Sequence, residues 1–285
     1  MENPLISVLM TAYNREQFIA EAIESVLVST YKNLELIIVD DCSGDNTVCI
    51  AKLFEQNDSR IRVYVNEHNL GDYANRNRAA SYAGGTYLMH VDSDDTILPE
   101  GIAKCVQVMQ QFPDAHFGMR LYGKECAPYE TSPGEVIQQH FFDAPLLGIG
   151  PGATIIRREF FERIHQYPVK YGPANDRYFN LKAASQTPMV FIPFEFLRYR
   201  LHEGQEINNQ YSYLYNNYLY LRDALIELPL PLARKQIHWL HLKNKRRLLV
   251  NLTKYFFTTF NFPKTMGIIR RTEFKFSDVL QALLH

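Results

Sequence analysis

Apolar runs alternate with segments of helical character through the first 112 residues, and this alternation constrains the fold more than any other feature of the chain. Four runs rich in branched and large apolar residues predict buried strands, at Leu5–Thr11, Leu34–Val39, Ile61–Val65 and Thr86–Val91. Helices are predicted between and after them, over about 15–28, 46–57, 72–83 and 99–111. This spacing is typical of βαβ units, so we predict an α/β fold with a mostly parallel central sheet flanked by helices.

Local signals mark two of the helix starts. Asn14, followed three residues later by Gln17, has the spacing of a capping box that would open the first helix. Asp45 is placed to cap the second helix.

The rest of the chain divides into two stretches of different character. Residues 113–203 alternate short apolar runs with turns, whereas 204–285 reads as helical. We therefore predict one domain over 1–203, built from the parts 1–112 and 113–203, and a helical C-terminal extension over 204–285.

Composition narrows the class of protein. The formal net charge is −1, so the protein as a whole has no excess of positive charge that would attract nucleic acid. No nucleic-acid partner is expected. The four cysteines show no CxxC pair and are expected to be reduced thiols. The N-terminus lacks a basic signal-peptide region, and no apolar run approaches the roughly 18 residues of a membrane span. We expect a cytoplasmic protein.

Polar residues gather where the predicted strands end. The first strand leads to Thr11 and Tyr13, the second to Asp40 and Asp41, and the fourth to the run HVDSDD, which supplies Asp92, Asp94 and Asp95. The carboxyl ends of parallel strands lie at one edge of a sheet, where α/β proteins bind ligands. One crevice is therefore expected to hold all of these side chains.

The acidic cluster suits a cation better than a bare phosphate. Carboxylates in a D-x-D pattern offer the oxygen ligands that Mg²⁺ or Mn²⁺ prefers, and such an ion would neutralise a diphosphate. The sequence has no P-loop, no GxGxxG after the first strand and no GxSxG. A metal with a diphosphate, without those loops, indicates a nucleotide-sugar as the ligand.

Four segments in this order carry a family resemblance: ISVLMTAYNREQFIAEAIESVL, LELIIVDDCSGDNT, NLGDYANRNRAASYAGGTYLMHVDSDD and LRYRLHEG. Together, over about residues 4–203, the chain resembles the family-2 glycosyltransferases of GT-A (Rossmann-like) fold. The resemblance implies a metal-dependent, inverting transferase that takes a sugar from a nucleoside diphosphate donor, with UDP the most frequent nucleotide. It also implies a role in polysaccharide or glycan assembly.

The resemblance assigns donor-binding roles by position. Thr11, Tyr13 and Asp41 would hold the nucleobase and ribose, with Asp41 accepting a base N–H and Tyr13 packing on the ring. Arg76 would line the nucleotide pocket. Asp92 would bind the ribose or the sugar.

The same resemblance makes Asp94 the direct metal ligand, Asp176 the general base, and His202 a residue that helps to bind the metal or the diphosphate. Two positions depart from the family pattern. Asn75 stands where the family often has Ala, a change expected to be harmless. Asn175 stands where Glu often precedes the base, which leaves the surroundings of Asp176 open.

Structural explanations compete with these roles. Asp94 and Asp95 would cap the helix near Pro99, Asp40 and Asp41 would form a turn, and Asp176 would be an N-cap. Two other functions stay open on the sequence: a catalytically inactive nucleotide-sugar-binding or scaffold module, and a nucleotidyltransferase.

The C-terminal extension is basic and aromatic. Between Arg234 and Lys275 stand eleven Lys and Arg residues and one acid, Glu273. The basic face needs no function if it is merely solvated. Alternatively, Lys243, Lys245, Arg246 and Arg247, with Trp239 and the phenylalanines, would meet an anionic membrane and bring the enzyme to a lipid-linked acceptor. A homodimer interface is the third possibility.

Overall fold

An eight-stranded sheet runs through the protein in the computed structural model, which describes residues 3–123, 126–202 and 210–284. Its strands are β1 (Ile6–Ala12), β2 (Leu34–Asp40), β3 (Ile61–Val65), β4 (Tyr87–His90), β6 (Phe117–Arg120), β7 (Tyr129–Thr131), β8 (Thr154–Arg157) and β9 (Met189–Ile192). A separate antiparallel pair is formed by β5 (Thr96–Ile97) and β10 (Leu197–Arg198). The helices are α1 (Ile19–Leu27), α2 (Thr47–Asn57), α3 (Asp72–Ser81), α4 (Gly101–Gln111), α5 (Pro133–Phe142), α6 (Arg158–Arg163), α7 (Asn175–Ala184), α8 (Gln210–Glu227), α9 (Arg234–Thr259), α10 (Phe262–Thr272) and α11 (Phe276–Leu284).

The strand order places a topological switch point beside β1. The sheet reads β3-β2-β1-β4-β8-β6-β9-β7, and β1 pairs in parallel with both β2 and β4. The chain therefore winds outward from β1 in one direction and returns on its other side, which opens a crevice at the carboxyl ends of these strands. β8 runs antiparallel to β4 and β6, so the sheet is mostly but not wholly parallel. The predicted fold class is confirmed.

The apolar runs form strands because both faces of the sheet are covered. β1 is buried along nearly its whole length, as expected for a strand between two helical layers. On one side, α1 buries a stripe at the helical spacing, made of Ile19, Ala22, Ile23 and Val26. Burying each large aliphatic side chain contributes about 1.5–3 kcal/mol.

The predicted start of the first helix is wrong. The helix α1 begins at Ile19 rather than near residue 15, and Asn14 forms no capping box. Asn14 has φ 53°, and its side-chain oxygen accepts the backbone N–H of Gly44 at 2.9 Å. The segment after β1 is thus held by the loop after β2, and this tertiary contact overrides the local helix signal.

The C-terminal helices share the core of the sheet. α8 packs on α7 and on the 3₁₀ turn at Gly172–Ala174, and it adds Tyr220, Leu221 and Ala224 to the cluster beneath the sheet. A second cluster joins α8 to α9, α10 and α11. The predicted boundary at 203/204 lies outside the described residues, so the division into a domain and an extension stays a prediction.

In the part of the chain that the structure describes, every helix is too short or too polar to cross a bilayer.

We expect Gly85→Ala to destabilise the fold. A Cβ at Gly85 would lie 2.6 Å from the backbone nitrogen of Ser7 and 2.8 Å from the carbonyl oxygen of Leu5, so β1 would have to shift. Overpacking of this kind costs about 1–3 kcal/mol. The neighbouring Gly84→Ala is the control, because its Cβ would meet only the Glu35 carboxylate, at 3.6 Å. Urea denaturation measures both, and equal midpoints for the two variants would contradict the close approach.

Candidate active site

A cleft of about 720 Å³ lies at the carboxyl ends of β1, β2 and β4 and is bounded on its far side by α7. Seven of the eight predicted site residues line it: Thr11, Tyr13, Asp41, Arg76, Asp92, Asp94 and Asp176. The eighth, His202, contacts Asp94, with its Nε2 2.8 Å from a carboxylate oxygen. Segments more than a hundred residues apart in sequence thus meet in one place.

The acidic run after β4 places three carboxylates together. Asp92, Asp94 and Asp95 each offer an oxygen, and these oxygens all lie within 4.8 Å of one another. Asp95 is buried and accepts the backbone N–H of Arg200 at 2.9 Å. Burial, with the nearby charge of Asp92, raises the pKa of Asp95 to about 7. This all-oxygen set fits a hard divalent cation.

Cationic and polar side chains offset the charge of Asp94. One oxygen of its carboxylate accepts the Nε–H of Arg15 at 3.0 Å and also contacts His202. The His202 ring stacks on Phe18, with the ring centroids 4.8 Å apart. The cap interpretation of Asp94 and Asp95 is wrong, because α4 begins after Glu100 and has no side-chain cap.

Arg76 is buried and holds Asp92 in place. Its Nη1 donates to Asp92 at 2.6 Å and its Nε donates to Asp72 at 2.8 Å. Burial alone would raise the pKa of Asp92, but the charge and hydrogen bond of Arg76 outweigh it, so the pKa lies below its usual range. Asp92 is therefore ionised at neutral pH.

Asp41 organises the loop between β3 and α3. It accepts the backbone N–H of Leu70 at 2.8 Å and of Gly71 at 2.9 Å, and the Asn66 side chain at 2.8 Å. These bonds use three of about four lone-pair sites on the carboxylate, so one acceptor site is left beside the cleft. The turn interpretation holds for Asp40, which binds Ser43, and not for Asp41.

Asp176 lies in the first turn of α7. The N-cap interpretation is wrong, because Ala174 occupies that position. Burial raises the pKa of Asp176 to about 6, against the lowering effect of Arg177. A carboxylate with such a pKa is mostly ionised at pH 7 and still basic enough to accept a proton.

The model of the family described as "Glycosyl transferase family 2" matches residues 7–165. This chain belongs to glycosyltransferase family 2. It is accordingly an enzyme that transfers glycosyl groups, and the family resemblance of its sequence motifs is confirmed.

Relatives of this glycosyltransferase include an uncharacterized glycosyltransferase of Haemophilus influenzae, 30% identical over 237 residues, covering 76% of this chain and 70% of the relative. Another is the Escherichia coli UDP-Glc:alpha-D-GlcNAc-diphosphoundecaprenol beta-1,3-glucosyltransferase WfgD, 28% identical over 240 residues, covering 81% and 90%.

Two similar solved structures show the same fold. One is S. aureus TarS 1–349 in complex with UDP-GlcNAc, with a TM-score of 0.73, 20% identity and coverage of 93% of this chain and 79% of that one. The other is the mannosyltransferase PcManGT from Pyrobaculum calidifontis in complex with GDP-Man and Mn²⁺, with a TM-score of 0.66, 14% identity and coverage of 100% and 87%. The GT-A fold is confirmed.

Several side chains of the glycosyltransferase site were not predicted from the sequence. Arg15 contacts Asp94, and Asp72 contacts Arg76. Both follow strands of the predicted sheet in the sequence. Ser212 and Tyr213 of α8 line the cleft from a distant helix, and no local pattern marks them. Asn175 is buried and closes the turn before α7, accepting the backbone N–H of Tyr171 at 2.9 Å.

The side chain of Asn75 takes part in a buried chain of hydrogen bonds. It is buried, its Nδ2 donates to the carbonyl of Val39 at 2.9 Å, and its Oδ1 accepts from Asn66, which also binds Asp41. We expected Asn in place of the family's Ala to be harmless. That expectation did not include these hydrogen bonds.

We therefore expect Asn75→Ala to lower the free energy of unfolding by about 1–3 kcal/mol, because buried polar partners lose their hydrogen bonds. Asn57→Ala is the matched control, since Asn57 is exposed and its side chain, among the residues that the structure describes, bonds only to the carbonyl of Leu53. Chemical denaturation of both variants gives the comparison. A loss no larger than that of the control would show that the buried network contributes nothing.

Proposed function

We propose that this glycosyltransferase moves a sugar from a UDP-sugar to an acceptor hydroxyl, with inversion and with the help of Mg²⁺ or Mn²⁺, in polysaccharide or glycan assembly. One observation carries the proposal: Asp92 and Asp94 from the end of β4, and the buried Asp176 from α7, line the same cleft. The printed names of the relatives support the substrate class, because WfgD is named for UDP-Glc and TarS is bound to UDP-GlcNAc.

The nucleotide occupies the part of the cleft next to β1 and β2 in this proposal. Asp41 has an acceptor site left for a base N–H, and Tyr13 is 47% exposed, which leaves its ring face open to stack on the base. Thr11 and Asp92 lie between this end and the acidic run, where the ribose and the sugar follow.

Asp94 would hold the metal, with Asp92 beside it. When bound there, a divalent cation supplies positive charge against the donor diphosphate and its leaving oxygen. Arg15 and His202, which contact the same Asp94 oxygen, orient the carboxylate and stand next to the diphosphate. Arg76 fixes Asp92 through its 2.6 Å bond.

Asp176 acts as the general base. The acceptor oxygen attacks the anomeric carbon from the face opposite the nucleotide, and its proton passes to a carboxylate oxygen of Asp176. The bond from the anomeric carbon to the diphosphate oxygen breaks, and the nucleoside diphosphate leaves with that electron pair. One displacement inverts the configuration, as in glycosidases that place base and leaving group on opposite faces.

The enzyme also works at the cytoplasmic membrane face in this proposal, where a lipid-linked acceptor resides. Phe257, Phe260 and Phe262 are 63%, 75% and 61% exposed at the junction of α9 and α10. Lys254 and Lys264 flank them in the chain. Exposed aromatic rings flanked by cations suit the interface of an anionic bilayer. Not every predicted cation is free for this contact, because Lys245 pairs with Asp278 at 2.7 Å.

We expect Asp176→Asn to lower the rate of sugar transfer by about 10²–10⁴-fold while UDP binding is retained, because an amide cannot accept the proton. We expect the variant to fold. A buried carboxylate with a raised pKa destabilises the folded protein when it is ionised, and the neutral amide of Asn does not. The thermal midpoint at pH 7.5 is therefore expected to stay level or rise. Asp114→Asn, at an exposed position, is the control. Transfer at the wild-type rate by Asp176→Asn would exclude this residue as the base.

The pH dependence follows from the same carboxylate. Transfer requires ionised Asp176, whose pKa is about 6, so kcat/KM should fall tenfold per unit below about pH 6. A profile that stays flat down to pH 5 would contradict the assignment.

We expect Phe260→Ser to weaken sedimentation of the protein with vesicles that contain anionic lipid, because less apolar surface enters the interface. Binding should also fall as salt is raised. Leu53→Ser, which removes an exposed apolar side chain from α2, is the control. Sedimentation velocity of the wild type measures whether the protein is a homodimer. If it is, and if Phe260→Ser makes it a monomer, the exposed phenylalanines at the junction of α9 and α10 form a dimer interface instead.

A further inference from the structure

A second cavity of about 410 Å³ lies among α5, α7, α8 and α9. Its lining includes His140, Leu147, Arg177, Leu221, Lys243 and Arg247. We propose that it binds the phosphate groups of an acceptor that carries them on an apolar chain. This inference rests on the proposed function, and it names the acceptor class and the site that recognises it.

The cavity is positively charged. Arg177, Lys243 and Arg247 line it, and no acidic residue is among the described residues of its wall. Within the described ranges, none of the three pairs with a carboxylate. Asn217 links two of them: its side chain accepts from Arg177 at 2.9 Å, and its carbonyl accepts from Arg247 at 3.1 Å. The charge of Asp176 acts on Arg177, but neither guanidinium group forms a salt bridge among the described residues, so an anion can bind to both of them.

A neutral histidine adds a donor to the cationic wall. The Nδ1 of His140 accepts the backbone N–H of Leu147 at 3.0 Å, so the hydrogen of the neutral ring resides on Nε2. Burial, with the nearby charge of Arg177, lowers the pKa of His140 to about 4, which keeps the ring neutral at pH 7.

The rest of the wall is apolar. Leu221 and Leu240 are buried in the core, and Phe141 packs against it. Trp239 and Phe142 lie nearby, with ring centroids 5.5 Å apart, and are about a third exposed. The Lys243 ammonium lies 4.6 Å from the centre of the Trp239 ring. Cations beside aliphatic and aromatic surface suit a phosphate that is joined to a hydrocarbon chain, rather than a free nucleotide.

The second cavity adjoins the active-site cleft through three shared segments. In α7, Asp176 lines the cleft and the next residue, Arg177, lines the cavity. In the preceding loop, Gly150 belongs to the cleft and Gly148 to the cavity, and α8 likewise contributes to both. An acceptor whose phosphates lie against Arg177 therefore extends its sugar toward the base, Asp176.

The loop between the two sites is fixed from both sides. Asn180 is buried, and its Nδ2 donates to the carbonyls of Leu147 at 3.0 Å and Ile149 at 2.8 Å. His140 holds the backbone N–H of Leu147. The cavity wall is thus preorganised, which lowers the cost of ordering it on binding.

Binding can be followed without catalysis, because the chain has a single tryptophan, Trp239, beside the cavity. Farnesyl diphosphate serves as the probe, in EDTA and saturating UDP so that the donor cleft holds no metal–diphosphate complex. We expect it to change Trp239 fluorescence and to bind at least tenfold more tightly than farnesol or inorganic pyrophosphate. Lys243→Gln combined with Arg247→Gln should weaken binding at least tenfold.

Arg246→Gln is the matched control, because Arg246 is an exposed neighbour in α9 that does not line the cavity. Asp94→Asn alters the donor site and should leave farnesyl diphosphate binding unchanged. The experiment therefore tests the second cavity separately from the assignment of the donor site. No binding of the probe, equal binding of pyrophosphate, or an equal loss in Arg246→Gln would overturn the proposal.

Discussion

Mutual repulsion among the carboxylates at the end of β4 is the constraint on which the active site depends. Two unit charges 4 Å apart repel by about 4 kcal/mol at the effective dielectric constant of a protein surface, and here three carboxylates meet within 4.8 Å. The fold offsets this with Arg76 on Asp92, with Arg15 and His202 on Asp94, and with a raised pKa at Asp95. The side chains that contact Asp92 and Asp94 come from three separate parts of the chain, so the cluster also ties those parts together.

The two cavities carry opposite charge, and we propose that one binds the donor and the other the acceptor. The first cavity is acidic and suits a diphosphate only when a cation accompanies it. The second is basic and suits phosphate directly. The two adjoin at Asp176 and Arg177, consecutive residues at the start of α7. If both proposals hold, this charge pattern separates two phosphate-bearing substrates and brings the reacting ends of both to Asp176.

The sequence was informative where local pattern decides structure. Buried strands such as β1 and β2 could be predicted because a strand between two helical layers is apolar throughout. Asp41, Asp92 and Asp94 could be predicted as neighbours because parallel strands end at one edge of a sheet. The roles assigned to them through the family resemblance remain proposals.

Contacts between distant segments could not be predicted in the same way. The start of α1 is set by the bond between Asn14 and the loop at Gly44, which no local signal reveals. The hydrogen-bond partners of Asn75, Val39 and Asn66, come from other elements, so its position in the sequence does not reveal them. The second cavity draws on residues from His140 to Arg247. Two of its three cations, Lys243 and Arg247, belong to the basic face for which the sequence leaves a solvated, a membrane-facing and a dimer interpretation open. Their place beside Arg177 depends on the packing of α9 on α8 and of α8 on α7.

The most direct test of the account is calorimetric titration of UDP with and without Mn²⁺. We expect Mn²⁺ to raise UDP affinity at least tenfold in the wild type and in the exposed control Asp114→Asn, and we expect Asp94→Asn to abolish this gain. Equal UDP affinity in Mn²⁺ and in EDTA for the wild type, or an undiminished gain in Asp94→Asn, would contradict the claim that these carboxylates hold the cation.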